Sequence, residues 1–230
     1  MIRVFIGYDA REAVAYNVLA HSIQARASRP VWIAPLMLKQ LGGVFHRERH
    51  PLQSTDFSFS RFLTPFLSGF AGWSLFMDCD MLMQADIADL WALRNDRYAV
   101  MVVKHRHVPR EQRKFLNEPQ SRYERKNWSS VMLFNNARCR ALTPEYVNTA
   151  TGLELHQFGW LSDESLIGRL PDRWNHLVGS QPPREDAAIV HYTLGGPYFQ
   201  QSADCEHAEA WRAEYRAMCA LPGAAQKETP

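Results

Sequence analysis

The first 36 residues constrain the fold more than any other part of the chain. Ile2-Arg3-Val4-Phe5-Ile6-Gly7 is a β-branched and aromatic run ending at glycine, which reads as a buried strand. After Tyr8-Asp9, the apolar residues Ala13, Val14, Val18, Leu19 and Ile23 recur at helical spacing within Glu12 to Arg26. Asp9 with Glu12 three residues later has the pattern of an N-cap and capping box, so the helix is expected to start there. Val31 to Leu36 reads as a second strand. Strand, helix and strand in so short a span make a βαβ unit, and such units build a largely parallel sheet.

The rest of the chain continues this α/β alternation less regularly. Residues 42–56 are rich in Gly, His, Arg and Ser and read as a loop, and helix signals return over Ser58 to Gly69. Ser74 to Met77 predicts a central strand, and Tyr98 to Lys104 and Ser130 to Phe134 predict two more. Residues 105–127 are polar and mostly basic, the composition of a surface excursion. Asp163 to Arg169 reads as a short helix, Ala188 to His191 as a strand and Ala208 to Cys219 as a closing amphipathic helix. Trp32, Trp73 and Trp91 are expected in the core, with Trp128 and Trp160 nearer the functional site. Residues 1–219 are expected to form one domain, and residues 220–230 have the composition of a disordered tail.

Charge and cysteine content narrow the classes of function. A chain of 230 residues can bury a sizeable core. Its 26 Lys+Arg against 24 Asp+Glu give a net charge of +2, which offers no electrostatic case for nucleic acid or an anionic membrane as the main partner. No apolar run approaches a bilayer span, and no signal peptide precedes the first strand. Cys79, Cys139, Cys205 and Cys219 lack C-x-x-C spacing. A cytoplasmic protein with reduced thiols and no transmembrane segment is the expectation.

The most informative segment is Phe76-Met77-Asp78-Cys79-Asp80-Met81-Leu82-Met83. It places two carboxylates in an apolar stretch at the C-terminal end of the predicted central strand, the edge where open α/β sheets bind ligands. Residues i and i+2 of an extended chain point the same way, so Asp78 and Asp80 can converge on one cation while Cys79 faces the other side. Carboxylate oxygens suit Mg²⁺ or Mn²⁺, and such an ion bridges a diphosphate. With 11 Asp in the chain, about 0.5 D-x-D matches arise by chance, so the pair alone is also compatible with a simple cap at Asp80. His191 is the second candidate, leaving the run Ala188-Ile189-Val190 into Tyr192-Thr193-Leu194-Gly195-Gly196-Pro197-Tyr198. Its ring can ligate Mn²⁺ across the same edge, or hydrogen-bond a neighbouring carbonyl.

In order along the chain these segments resemble a bacterial GT-A-type glycosyltransferase similar to glycosyltransferase family 8. Phe59-Ser60-Arg61-Phe62 resembles the family's aromatic helix with Arg, followed by the strand ending in D-x-D, Leu75-Phe76-Met77-Asp78-Cys79-Asp80. Ala88-Asp89-Leu90-Trp91 resembles the Asp-Leu-Trp step after the metal motif. Trp128 to Asn135 resembles the small-residue strand ending in Asn, Asp163-Glu164-Ser165-Leu166-Ile167 the Asp-Gln-Asp element, and Arg173-Trp174-Asn175 the Trp-Asn segment. His191 to Tyr198 resembles the H-x-x-G-x-x-K-P-W element.

The resemblance implies a single GT-A-like domain with a mainly parallel, Rossmann-like central sheet flanked by helices. It implies metal-dependent transfer of a sugar from a nucleoside-diphosphate sugar, a UDP-sugar by the family's habit, to a carbohydrate, lipid-linked or small-molecule acceptor. Gly7, Tyr8 and Asp9 would hold base and ribose, and Arg61 would approach the donor sugar and diphosphate. Asp78 would touch the ribose and the metal, Asp80 and His191 would complete the Mn²⁺ or Mg²⁺ ligand set, and Asp163 and Glu164 would meet the donor sugar. Retention of configuration follows from the family, with front-face attack by the acceptor hydroxyl and Glu164 as the stabiliser or nucleophile to test.

Three departures bear on the donor. Trp128-Ser129-Ser130 stands where the family has Asn-Ala-Gly, so Ser129 and Ser130 would line the sugar pocket. Glu164 stands for Gln, and Pro197 stands in place of the diphosphate-binding Lys. The amides of Gly195 and Gly196, or a base such as Lys104, Lys114 or Lys126, are candidates to replace that Lys. The basic, aromatic stretch with His105, Arg106, His107, Arg110, Arg113, Lys114, Tyr123 and Trp128 is a candidate acceptor wall or a solvated loop. Two other readings compete: a non-catalytic nucleotide-sugar-binding GT-A-like domain, and a haloacid-dehalogenase-like phosphohydrolase. The latter expects Thr or Val where Leu82 stands and a later acidic pair, and the chain has no Asp-Asp pair.

Overall fold

The computed structural model of the protein describes residues 1–49, 53–105 and 125–220. The opening βαβ unit is formed as the pattern requires: β1 (Ile2–Gly7), α1 (Ala13–Arg26) and β2 (Val31–Leu36), with β1 and β2 parallel and Ile2 opposite Val31. The chain continues through α2 (Thr64–Leu67), β3 (Trp73–Met77), β4 (Met81–Met83), α3 (Ile87–Ala92) and β5 (Val100–Val102). It then forms β6 (Val131–Asn135), α4 (Pro144–Thr149), α5 (Gly152–His156), β7 (Ile167–Arg169), β8 (His176–Leu177), β9 (Ile189–His191) and α6 (Ala208–Cys219).

Six strands form one sheet in the order β2-β1-β3-β6-β5-β7. Among the described residues five of them run the same way and β6 runs against them. The result is a mainly parallel α/β sheet with flanking helices. Its central strands are continuous apolar runs with no polar alternation because helices and loops cover both faces. A second sheet, β4-β9-β8, carries a smaller apolar cluster of Leu82, Val178, Val190, Tyr192 and Trp211. The D-x-D segment is the joint between the two sheets, since Asp78 follows β3 and Asp80 precedes β4.

Several expectations are corrected. Asp9 does cap a helical turn, but a short 3₁₀ one over Ala10–Glu12, by accepting from Arg11 N. Glu12 does not close a capping box; its carboxylate turns inward and accepts from Tyr198 Oη at 2.8 Å. Ser58 to Gly69 is not one helix: Ser60–Leu63 is 3₁₀, and α2 then starts at Thr64-Pro65. Asp163 to Arg169 is a 3₁₀ turn over Glu164–Leu166 followed by strand β7, which pairs parallel with β5. Gly168 fits that strand because a Cβ there would meet Tyr98 and Met101 side chains within 2.7 Å. Trp32 is 43% exposed and packs edge-on against Phe5, outside the core. Among the described residues no helix is long and apolar enough to cross a membrane. Residues Arg106, His107, Arg110, Arg113, Lys114 and Tyr123, and the tail from 221 onward, lie outside the described residues.

Candidate active site

The register of two strand pairs assembles the site. Ile6 pairs with Met77, which sets Gly7 at the end of β1 beside Asp78 at the end of β3. Met81 pairs with His191, and Tyr192 N donates to the Asp80 carbonyl at 2.9 Å, so Asp80 and His191 are neighbours by backbone hydrogen bonding. Asp78 N donates to the Ser130 carbonyl at 3.0 Å, bringing the start of β6 to the same place. Cys79, between the two carboxylates, is fully buried, with its thiol 3.9 Å from Glu12.

The side chains divide the carboxylate work. Arg61 is only 6% exposed. Its guanidinium lies between Phe57 and Phe76, donates to the Ser129 carbonyl at 2.9 Å and pairs with Asp78 Oδ1 at 2.8 Å. The other oxygen, Asp78 Oδ2, faces His191 Nε2 at 3.9 Å, and Asp80 Oδ1 faces it at 3.3 Å. Asp80 Oδ1 is buried without a hydrogen-bond donor among the described residues.

Asn175 decides what His191 offers. The Asn175 amide nitrogen donates to Ser130 Oγ at 2.8 Å and to the Asn127 carbonyl at 3.3 Å, so its oxygen is the atom facing His191 Nδ1 at 2.9 Å. That oxygen can only accept, so Nδ1 carries a proton, and in the neutral imidazole Nε2 then carries the lone pair. A lone pair aimed at two carboxylates in a buried site is unfavourable by itself and becomes favourable around a cation. Asp78, Asp80 and His191 have ligand atoms within 4.8 Å of one another, and their chemistry fits a divalent ion. The Asn175 bond is the outer-shell support usual for a ligating histidine.

Burial and the charge of Asp80 push the Glu12 carboxyl up to about 8, beside this group. Burial raises and the Arg11 and Asp56 hydrogen bonds lower the Asp9 carboxyl, and the hydrogen bonds win, holding it below its ordinary range. Asp9 is bound by Arg11 at 2.7 Å and by Asp56 N at 3.2 Å, so it organises the loop rather than facing open space. Tyr8 stands edge-on to Tyr16. Ser129 Oγ hydrogen-bonds His156 and Ser130 Oγ donates to the Asn127 carbonyl, so both hydroxyls are engaged within the protein.

Other expected residues sit further out. Asp163 caps Ser165 N at 2.7 Å, and Glu164 is 80% exposed on its side chain and pairs with Arg125. Arg125 lies over Trp128, which connects Glu164 to the Ser129–Ser130 segment. Gly195 has φ +103, a conformation glycine tolerates, and its amide donates to the Tyr192 carbonyl at 2.9 Å. The Gly195 amide thus closes its own turn. Lys104 lies over Trp128, while Lys126 is buried. Sequence reasoning missed the functional part of Asn175 and Glu12. Asn175 was visible only as half of a Trp-Asn segment, and the sole signal at Glu12 was its capping spacing.

The fold is that of the GT-A glycosyltransferases. Residues here superpose on the bifunctional glycosyltransferase WbbM with a TM-score of 0.67 at 15% identity, over 93% of this chain and 49% of that one. The chain thus spans about half the length of WbbM. It is similar to the galactosyltransferase LgtC in complex with donor and acceptor sugar analogs (TM-score 0.60, 13% identity, 96% and 98% covered). It is also similar to GlyE of Streptococcus pneumoniae TIGR4 (TM-score 0.61, 14% identity, 93% and 60% covered). In sequence, Protein CDI of Arabidopsis thaliana is 48% identical over 218 residues, 91% of this chain and 84% of that protein. The chain belongs to the family of Protein CDI. No protein-family model matches the sequence.

Proposed function

We propose that this chain is a metal-dependent glycosyltransferase related to family 8. It would move a sugar from a nucleoside-diphosphate sugar, a UDP-sugar by that relationship, to the hydroxyl of a carbohydrate, lipid-linked or small-molecule acceptor with retention of configuration. The observation that carries the reading is the convergence of Asp78 Oδ2, Asp80 Oδ1 and His191 Nε2 at one sheet edge. Those three residues would hold Mn²⁺ or Mg²⁺, which when bound neutralises charge developing on the leaving nucleoside diphosphate. Arg61 pairs with Asp78 and fixes its orientation, and Asn175 accepts the proton on His191 Nδ1. The Gly7–Asp9 segment would border the base and ribose, and the Gly196 amide with Lys104 would face the diphosphate. Asp163 and Glu164 would meet the donor sugar, the latter opposite the attacked face. Residues 1–219 would act as one catalytic domain. Its cysteines are free thiols where described, which suits a reducing compartment such as the cytoplasm.

The test is a thermal-shift screen of nucleotide-sugars with Mn²⁺, followed by donor hydrolysis without acceptor, because specific binding stabilises the native state. Binding and slow metal-dependent hydrolysis of one donor are expected, with Asp80→Ala removing both while the protein stays folded. A panel with neither binding nor hydrolysis sinks the enzyme reading. Pro197, standing in place of the family's diphosphate-binding Lys, is the ground for a second reading, donor binding without turnover. Tight binding with no hydrolysis and no transfer to any acceptor would select it.

A further inference from the structure

A second cluster of ligating side chains lies apart from the sheet-edge group. His176 Nε2 and His207 Nε2 are 2.9 and 3.2 Å from the same carboxylate oxygen, Oε1 of Glu206. Ligand atoms of the three residues all lie within 4.8 Å of one another. His176, on β8, is 1% exposed on its side chain, while Glu206 and His207 lead into α6 and are partly buried. His207 holds a left-handed backbone at φ +59, uncommon for a residue with a side chain, and its ring stands edge-on to that of His176 at 5.8 Å. Its Nε2 is buried and has no hydrogen-bond partner among the described residues. Glu206 Oε1 also accepts from Arg184 N at 3.2 Å.

We propose that His176, Glu206 and His207 form a second cation site of the Zn²⁺ class, three protein ligands with the fourth tetrahedral position left to water. Two imidazoles and one carboxylate match the borderline-soft ligand set of Zn²⁺, whereas Mg²⁺ and Ca²⁺ prefer oxygen ligands throughout. Zn²⁺ bonds of about 2.0–2.1 Å in a tetrahedron separate the donors by about 3.3 Å. The observed 2.9 and 3.2 Å separations come near this value. The two groups are chemically distinct: Asp78, Asp80 and His191 offer two carboxylates to one imidazole, the reverse ratio.

The ligands bracket one stretch of chain. His176 begins it and Glu206-His207 end it, and between them lie β9, His191 and the Gly195–Gly196 turn. Tyr192, next to His191, donates its hydroxyl to the His207 carbonyl at 3.1 Å, so the bracket reaches the sheet edge. A cation here fastens the start of α6 to β8 and fixes the strand that presents His191. The proposal stands whether or not the chain is a glycosyltransferase.

The experiment titrates the full chain, treated with a chelator, with Zn²⁺ alone by calorimetry, and follows Co²⁺ substitution by visible absorption. Asp80→Ala removes the sheet-edge group and serves as background. In it, one equivalent of Zn²⁺ is expected to bind, with tetrahedral Co²⁺ bands and a raised thermal midpoint. Adding His207→Asn, which keeps a residue tolerant of left-handed φ, is expected to weaken Zn²⁺ binding by roughly tenfold or more. Glu206→Gln, nearly isosteric, gives the same comparison should the first variant not fold. No Zn²⁺ bound by Asp80→Ala, or undiminished binding after either added substitution, overturns the site and leaves Glu206 as a shared hydrogen-bond acceptor.

Discussion

Arg61 and Asp78 form a buried ion pair in which each partner has a second task. Arg61 Nη1 meets Asp78 Oδ1 at 2.8 Å and the Ser129 carbonyl at 2.9 Å, while Asp78 Oδ2 is left facing His191. The pair therefore ties β3 to the start of β6 and orients one carboxylate oxygen into the site. Removing one partner of a buried pair strands the other charge and costs about 3–5 kcal/mol, whereas removing both costs less. Arg61→Met and Asp78→Asn are each expected to destabilise the protein in urea unfolding. The double variant should cost less than the sum by about 1 kcal/mol or more. Simple additivity would show that the two do not depend on each other.

The hydrogen bond from His191 Nδ1 to Asn175 Oδ1 is expected to govern cation affinity without Asn175 touching the ion. Losing such an outer-shell partner weakens binding about 10–100-fold. Asn175→Leu should do so in a Mn²⁺ titration followed by electron paramagnetic resonance. Asn175→Asp, whose carboxylate still accepts the Nδ1 proton, should recover most of the loss. Equal affinities for wild type and Asn175→Leu would remove Asn175 from this part.

Local patterns made the outer frame of this fold legible. β1, β2 and α6 follow from periodicity within a few neighbouring residues, and the sequence places their bounds as the structure does. The D-x-D joint and His191 were legible for the same reason: each is a polar group at the end of an apolar run. What escaped depends on tertiary partners. β4 and β8, of three and two residues, are too short for periodicity and exist through pairing with β9. Ile167–Arg169 looked helical because its pairing with β5 is remote in sequence. Glu12 carried only a capping signal, yet Tyr198, 186 positions away, holds its carboxylate inside. No spacing rule links His176 with Glu206 and His207.

Gly7 is expected to be irreplaceable for a steric reason. A Cβ there would lie 2.3 Å from the Phe57 ring, which itself packs against Phe76 and beneath Arg61. Overpacking of this kind costs about 1–3 kcal/mol. Gly7→Ala should lower stability by that amount, and Phe57→Leu added to it should restore part of the loss by vacating the space. A Gly7→Ala protein as stable as wild type would mean that the ring moves aside freely.

Glu12 supplies a pH signature. Its carboxyl is pushed up to about 8, first by burial and next by the charge of Asp80, against an ordinary value of 4.5. Between those two values the folded, metal-free chain holds a proton that the unfolded chain has released. The slope of stability with pH follows protons bound in the unfolded state minus those bound in the folded state, so it is negative here. Stability contributed through Glu12 is full below about pH 4.5, falls as the pH rises and is lost by about 8. The loss is of order a few kcal/mol. Urea unfolding of chelator-treated protein across that range should show the decline for wild type. In Glu12→Gln, which cannot ionise and still accepts from Tyr198, the profile should be flatter. Parallel profiles would mean that Glu12 is already ionised in the folded chain.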